Sequence, residues 1–234
     1  MTTTQSFLDG LAAEVAGLPR ASTAERVAEL LRRRVTEGDL PPGSQLSEEQ
    51  LSAVLQVSRN TLREAFRLLG HEGLLVHRLH RGVFVAELSD DDLVDVYRVR
   101  RAIEGDVVRR LGTAAAEDPG LLDPLRADVA DGTAAARRGD WSGVGTANMH
   151  FHAHLVALAG SPRLDAATAR LQAELRLAFQ GADAEAMHAP YVQRNADLLD
   201  LVAAGRAAEA AAALEEYLDA SLAHLLALRA AGRP

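Results

Sequence analysis

Ser58, Arg59, Asn60, Thr61 and Arg63 stand together in the string Val57-Ser58-Arg59-Asn60-Thr61-Leu62-Arg63. A guanidinium can fork onto the O6 and N7 acceptors of guanine, while short hydroxyl and amide side chains reach bases or phosphates. Four-residue spacing puts Arg59 and Arg63 on one face of a helix, and Leu62, Phe66 and Leu69 fill the other. Further on, Arg81-Gly82 occupies a polar turn between the apolar runs Leu74-Leu75-Val76 and Val83-Phe84-Val85. His77 and His80 flank that turn, where a solvated role stands beside a DNA role. The chemistry these residues offer is the reading of duplex DNA: a polar, arginine-bearing helix start for the major groove and a basic turn for the backbone.

A second group sits where polar side chains meet apolar helix faces. At 100° per residue, Asn148 and His152 share a side with Val144, Phe151, Leu155 and Ala159. Asn195 falls with Tyr191, Leu198, Leu199 and Val202, and Tyr217 with Leu214, Ser221, His224 and Leu228. Arg100 lies with Leu93, Val96, Ile103 and Val107. It is the candidate partner of an anionic ligand group, with an internal pair to Glu104, one turn on, as the competing reading. A buried polar atom without a partner costs about 1–3 kcal/mol, so these groups must satisfy each other, hold water or hold a ligand. His150 and His154 point away from His152, toward the polar side, and form a surface pair.

These residues need elements to position them. Ser22 or Thr23 caps a helix running to about Glu37, and Gly38-Asp39-Leu40-Pro41-Pro42-Gly43 is a turn. Ser47 with Gln50 caps a second helix, the chain breaks at Gln56-Val57, and Ser58 caps a third that Gly73 ends. The two apolar runs beyond are wing strands, so this part has the pattern of a winged helix-turn-helix. From Ser89 onward every segment is helical: about Asp90–Ala116, 119–138, Asp140 to near Gly160, Pro162–Gly181 behind Ser161, about Ala186–Gly205 and Ala207–Ala230. The expected fold is mainly α: three helices plus a small β-wing, then an antiparallel all-α bundle of about six helices. Residues 1–19 form a flexible arm, 20–86 the DNA-binding domain and 89–230 the helical effector-binding and dimerisation domain.

Composition narrows the function. The 234 residues carry a formal charge of −8 and contain no cysteine, which excludes disulfides, Cys-ligated zinc and Cys nucleophiles. All 25 basic residues are arginine. Residues 20–86 have a balance of +2 and residues 87–234 of −8, so only the N-terminal part is expected to meet phosphates. The sequence has no secretory segment and no membrane-length apolar run, so a cytoplasmic protein without a membrane partner is the expectation. An enzyme using the His-bearing bundle is a competing class, but nucleophile elbow, phosphate loop and paired catalytic carboxylates are all missing. A partner-binding protein with a dead pocket is a third.

Leu40-Pro41-Pro42-Gly43, Val57-Ser58-Arg59, Leu62-Arg63-Glu64-Ala65, Glu72-Gly73-Leu74 and Arg81-Gly82 closely resemble the N-terminal domain of GntR-type transcription regulators. Arg100-Arg101-Ala102-Ile103-Glu104, Phe151-His152 and Gly160-Ser161-Pro162-Arg163-Leu164 resemble the FadR-type C-terminal domain, FCD. The resemblance implies a homodimeric regulator, usually a repressor, that binds a near-palindromic double-stranded operator under control of a small-molecule effector. It implies Arg59, Asn60, Thr61 and Arg63 as recognition contacts and Arg81-Gly82 as the wing contact. Some members carry a base-contacting Arg where this chain has Glu49, so its operator is expected to differ from theirs. Many FCD domains hold a divalent metal through one Asp and three His. The matching positions here are Asn148, His152, Asn195 and Tyr217, which keep one ligand of four. The expectation is therefore no metal cofactor and a metal-free effector pocket of Arg100, Asn148, His152, Asn195 and Tyr217. A metal-dependent regulator with an atypical site is the alternative.

Overall fold

The computed structural model describes residues 22–36, 39–111, 118–180 and 183–231; the expected arm at 1–19 lies outside them. The first helix, α1 (Thr23–Thr36), begins at a reciprocal cap. The Glu25 amide donates to Ser22 Oγ at 3.1 Å, and the Ser22 amide donates to the Glu25 carboxylate at 2.6 Å. Its inner face buries Val27, Ala28, Leu31 and Val35. β1 (Gln45–Leu46) leads into α2 (Glu48–Leu55), capped by Ser47, whose Oγ accepts from the Gln50 amide. Gln56 at φ 53° ends α2 in the left-handed region. The third helix, α3 (Arg59–His71), starts at Ser58 and buries Leu62, Ala65, Phe66 and Leu69.

Past α3 the chain turns at Gly73, whose φ of 77° suits a residue without Cβ. Substitution here would also bring a Cβ to 2.9 Å from the Glu174 carboxylate, because a later helix passes close by. β2 (Leu75–Arg78) and β3 (Gly82–Val85) then form the wing hairpin. The sheet has a third strand that sequence patterning did not anticipate: β1 pairs antiparallel with β3, giving the order β1-β3-β2. Two residues are too few to show an alternation of apolar and polar positions.

The remaining helices are α4 (Asp90–Leu111), α5 (Asp123–Arg137), α6 (Trp141–Ala157), α7 (Pro162–Phe179), α8 (Ala184–Ala203) and α9 (Ala207–Ala231). The single helix expected over 119–138 is divided. Pro119–Leu122 is a 3-10 turn capped by Asp118, and α5 restarts at Asp123-Pro124. Pro124 has no N–H to carry the α-type ladder back into the preceding turn. Ser161 holds an extended cap backbone but makes no side-chain cap bond. The expected ends of α4 and α7, at Ala116 and Gly181, fall outside the described residues. Among the described residues no helix is long and apolar enough to cross a membrane.

Two apolar clusters result. One gathers α1, the buried face of α3 and the small sheet; the other gathers Tyr97, Phe151, Leu155, Leu198, Tyr217 and Leu225 inside the bundle. α7 belongs to both. Its Leu177 is buried in the N-terminal cluster, while Leu175 and Ala178 are buried in the bundle. Just beyond α7, the Gln180 amide donates to the Val35 carbonyl at the end of α1.

Candidate functional site

At the start of α3, Ser58 Oγ accepts from the Thr61 amide at 3.1 Å and lies 2.8 Å from Thr61 Oγ1. This cap fixes the first turn, and Ser58, Arg59 and Asn60 are exposed on it. Arg63 follows one turn later, also exposed, with Nε donating to the Glu48 carboxylate at 2.9 Å across from α2. Glu48 thereby aligns the guanidinium without burying it; an exposed pair of this kind is worth under about 1 kcal/mol. Arg67 pairs with Glu64 on the same helix at 2.6 Å. In the wing, His80 at φ 58° and Gly82 at φ 97° form the turn that presents Arg81 to solvent. The Arg81 carbonyl is tied down by Gln45 Nε2 at 2.8 Å. Leu79, at 76% exposure, stands beside it. An apolar side chain at this tip was not picked out from the sequence.

Inside the bundle, the predicted polar residues converge. Asn148 Oδ1 accepts from Tyr217 OH at 2.6 Å and from Asn195 Nδ2 at 2.8 Å, joining α6, α9 and α8. The His152 and Tyr217 rings lie 5.0 Å apart. Arg100 joins through an intermediary: its Nε donates to Glu104 Oε1 at 2.7 Å, and Glu104 Oε2 lies 2.7 Å from His152 Nδ1. The intrahelical pair of Arg100 is thus formed, with Arg100 also over the Tyr97 ring at 5.1 Å. Sequence reasoning named Glu104 only as that partner, not as the hinge between Arg100 and His152. The available signal was its place, one turn beyond Arg100 on a buried face.

Electrostatics follow from burial. Burial alone would raise Glu104, but the facing Arg100 and His152 outweigh it and hold the carboxyl down at about 2. Burial lowers His152 and raises the Tyr217 phenol, so the ring is neutral and the hydroxyl keeps its proton. His152 Nε2 and Asn195 Oδ1 are buried without a hydrogen-bond partner. Two voids border the cluster, each of about 10 Å³: one under α7 beside Arg100, Thr168 and Gln172, the other beside Asn148 and Asn195. Each has room for about one water.

Two histidines outside the cluster are also held. His154 Nδ1 lies 2.6 Å from the buried Asp128 carboxylate, so it is more than half of a surface pair with His150. His188 is buried against Phe179 and against Gly145, where an added Cβ would come within 2.6 Å of the imidazole. Burial, helped by Arg176, lowers His188 to about 4 from 6.5. A base held below its unfolded value favours the fold above pH 6.5 and costs stability as pH falls toward 4. The cost reaches about 2–3 kcal/mol. Urea unfolding at pH 7 and pH 4 should show that loss in the wild type and a smaller one in His188→Leu.

A winged helix-turn-helix with exposed arginines on its third helix, joined to a helical bundle with a polar interior, is the architecture of a class of bacterial regulatory proteins. The chain matches the FCD domain family over residues 95–220 and the gntR family of bacterial regulatory proteins over residues 23–85. It belongs to the GntR family, with an FCD C-terminal domain. A GntR transcriptional regulator of known structure from Rhodococcus sp. RHA1 is 37% identical, with a TM-score of 0.78 over 87% of this chain and 97% of that one. Escherichia coli McbR/YncC shares the fold at 20% identity, with a TM-score of 0.70 over 88% and 98% of the two chains. The gluconate operon transcriptional repressor of Bacillus licheniformis is 40% identical over 102 residues, 43% of this chain and 41% of that one. The chain spans 64% of the length of a related protein from Paenarthrobacter nicotinovorans, identical at 32% over 152 residues.

Proposed function

We propose that this chain is a sequence-specific DNA-binding transcription regulator of the FadR subfamily. It acts as a homodimeric repressor on a near-palindromic operator, and an effector inside its helical domain controls the operator affinity. The observation that carries this reading is the exposed pair Arg59 and Arg63 on a helix whose start is fixed by Ser58 and whose back is seated by Leu62 and Phe66. Asn60, Thr61 and the wing residues Arg81 and Gly82 complete the contact surface. Related proteins named as operon repressors support the sign of regulation.

Gel shifts with the DNA upstream of its own coding sequence test the reading. Arg59→Ala and Arg63→Ala should each weaken specific binding by about 1–3 kcal/mol. Affinity should fall as salt rises, because phosphate contacts release counterions. Absence of any preference for that DNA at low salt sinks the proposal.

We also propose that the effector site works without a metal. Asn148 Oδ1 already accepts two hydrogen bonds, Tyr217 keeps its proton and Glu104 is engaged by Arg100 and the far side of His152. One imidazole nitrogen and neutral amide oxygens do not fit a divalent transition metal, which needs anionic or several imidazole donors. Arg100, His152, Asn148, Asn195 and Tyr217 then serve as the polar wall of an organic ligand site.

A further inference from the structure

A groove lies where α3, the wing and the bundle helix α7 meet. Its volume is about 510 Å³, within the range of about 300–1,000 Å³ typical of small-molecule sites. Its floor is apolar. Phe66 from α3, Leu75 from β2 and Val83 from β3 are buried along it, and Val76 stands 37% exposed in it. Gly70 adds to its depth by having no side chain. An added Cβ there would meet only the Leu75 carbonyl, at 3.7 Å, so packing alone does not call for a glycine.

The polar part of the lining is cationic. Arg63, Arg67 and Arg170 contribute to it, and no carboxylate among the described residues does. Arg67 is fully engaged: its Nε and Nη2 donate to Glu64, and its Nη1 lies 3.2 Å from His71. Arg63 and Arg170 are not. Each gives only its Nε to a carboxylate, Glu48 at 2.9 Å and Glu174 at 3.2 Å. Among the described residues, their Nη groups donate to nothing.

We infer that this groove binds an amphipathic organic anion, an aryl carboxylate, separately from the bundle interior. Its ring covers Phe66 and Val76, and its carboxylate takes the open guanidinium nitrogens of Arg63 and Arg170. A flat ring buries a large apolar area with few rotors to immobilise, and guanidinium N–H groups match the geometry of a carboxylate. Bare phosphate would leave the apolar floor uncovered, and a neutral arene would leave the Nη donors unmatched. None of Asn148, His152, Asn195 and Tyr217 lines the groove, so the bundle cluster takes no part in this site. Arg63 is also a recognition contact in the DNA-binding reading above. On that reading, an Arg63 held by the anion is withdrawn from the operator, and ligand and DNA compete directly.

The test uses the full-length protein and titration calorimetry with naphthoate and cinnamate, their carboxamides naphthamide and cinnamamide, and inorganic phosphate. At least one acid should bind with a Kd below about 1 mM, and its amide about tenfold more weakly or not at all. Phosphate should bind no better than the amide. Arg170→Gln should weaken the acid by about fivefold or more, and Val76→Trp, which fills the groove, should abolish its binding. Both replace exposed side chains, and a Tm scan reports whether they fold; the comparison of acid with amide needs no variant. Gel shifts then follow the competition. The acid should release the wild type from its operator, and Arg170→Gln should need about fivefold more of it. No binding of either acid, equal affinity for acid and amide, or affinity untouched by the two groove variants would each overturn the inference. So would an operator complex that ignores a bound acid, with the regulator reading left standing. Loss of operator preference without any ligand removes the regulator reading instead.

Discussion

Glu104→Leu is expected to lower the unfolding free energy by about 3–5 kcal/mol at pH 7, the range found when one member of a buried ion pair is removed. Glu104 is 2% exposed and bonds two partners at once, Arg100 at 2.7 Å and His152 at 2.7 Å. Without the carboxylate, Arg100 keeps its charge in a buried site after losing the anion it donates to, and the His152 Nδ1 hydrogen loses its acceptor. The magnitude comes from the orphaned charge rather than from the attraction lost, and a second variant separates the two. Arg100→Met combined with Glu104→Leu removes both charges and fills the space with apolar atoms of similar volume. It should recover most of the loss, leaving a deficit of about 1–3 kcal/mol from the unpaired His152 hydrogen. Urea denaturation of wild type, single and double variants measures this directly. If the double variant is no more stable than the single one, Glu104 contributes by packing and not by pairing.

The same cluster shows how far residue types alone could be followed. The helix start at Ser58 was legible because capping chemistry is local: a hydroxyl, a backbone amide three residues on, and an apolar face at helical spacing. Asn148, His152, Asn195 and Tyr217 were legible as interior positions because each polar group interrupts an apolar helix face. Their grouping into one pocket came only from the family resemblance, and the bonds among them were not legible. That Tyr217 bonds Asn148, and that Glu104 stands between Arg100 and His152, depends on how α4, α6, α8 and α9 rotate against one another, which helical periodicity leaves open. The dual role of α7 was hidden for a related reason. Leu175, Leu177 and Ala178 all read as apolar, yet Leu177 faces the N-terminal cluster and the other two face the bundle. Nothing in the order of residues says which core each one meets. His188 was passed over because its burial is set by a glycine on another helix, Gly145.

The position of α7 also gives the two halves a physical connection. One side lines the small void beside the Arg100–Glu104 pair with Thr168, Leu171 and Gln172, and the other carries Leu177 and, just beyond it, Gln180 to the α1 core.

Asn148→Asp, Asn195→His and Tyr217→His in one chain should convert the site to a metal centre. The four positions already lie together: Asn148 is within 2.6 Å of Tyr217 and 2.8 Å of Asn195, and the His152 and Tyr217 rings are 5.0 Å apart. What the wild type lacks is donor chemistry, not convergence. The three substitutions supply one anion and two more imidazoles to His152, a set suited to zinc or nickel. Glu104 would then hold the His152 ring by its other nitrogen, the arrangement that orients metal-bound histidines. Zinc at about 1,000 times its Kd should stabilise the triple variant by about 4 kcal/mol, which raises Tm by about 10 °C for a chain of this size. A chelator should reverse the rise, and the wild type should show none under the same conditions. An equal rise in the wild type would mean that neutral amides and one imidazole suffice, and the metal-free reading of the effector site would fall with it.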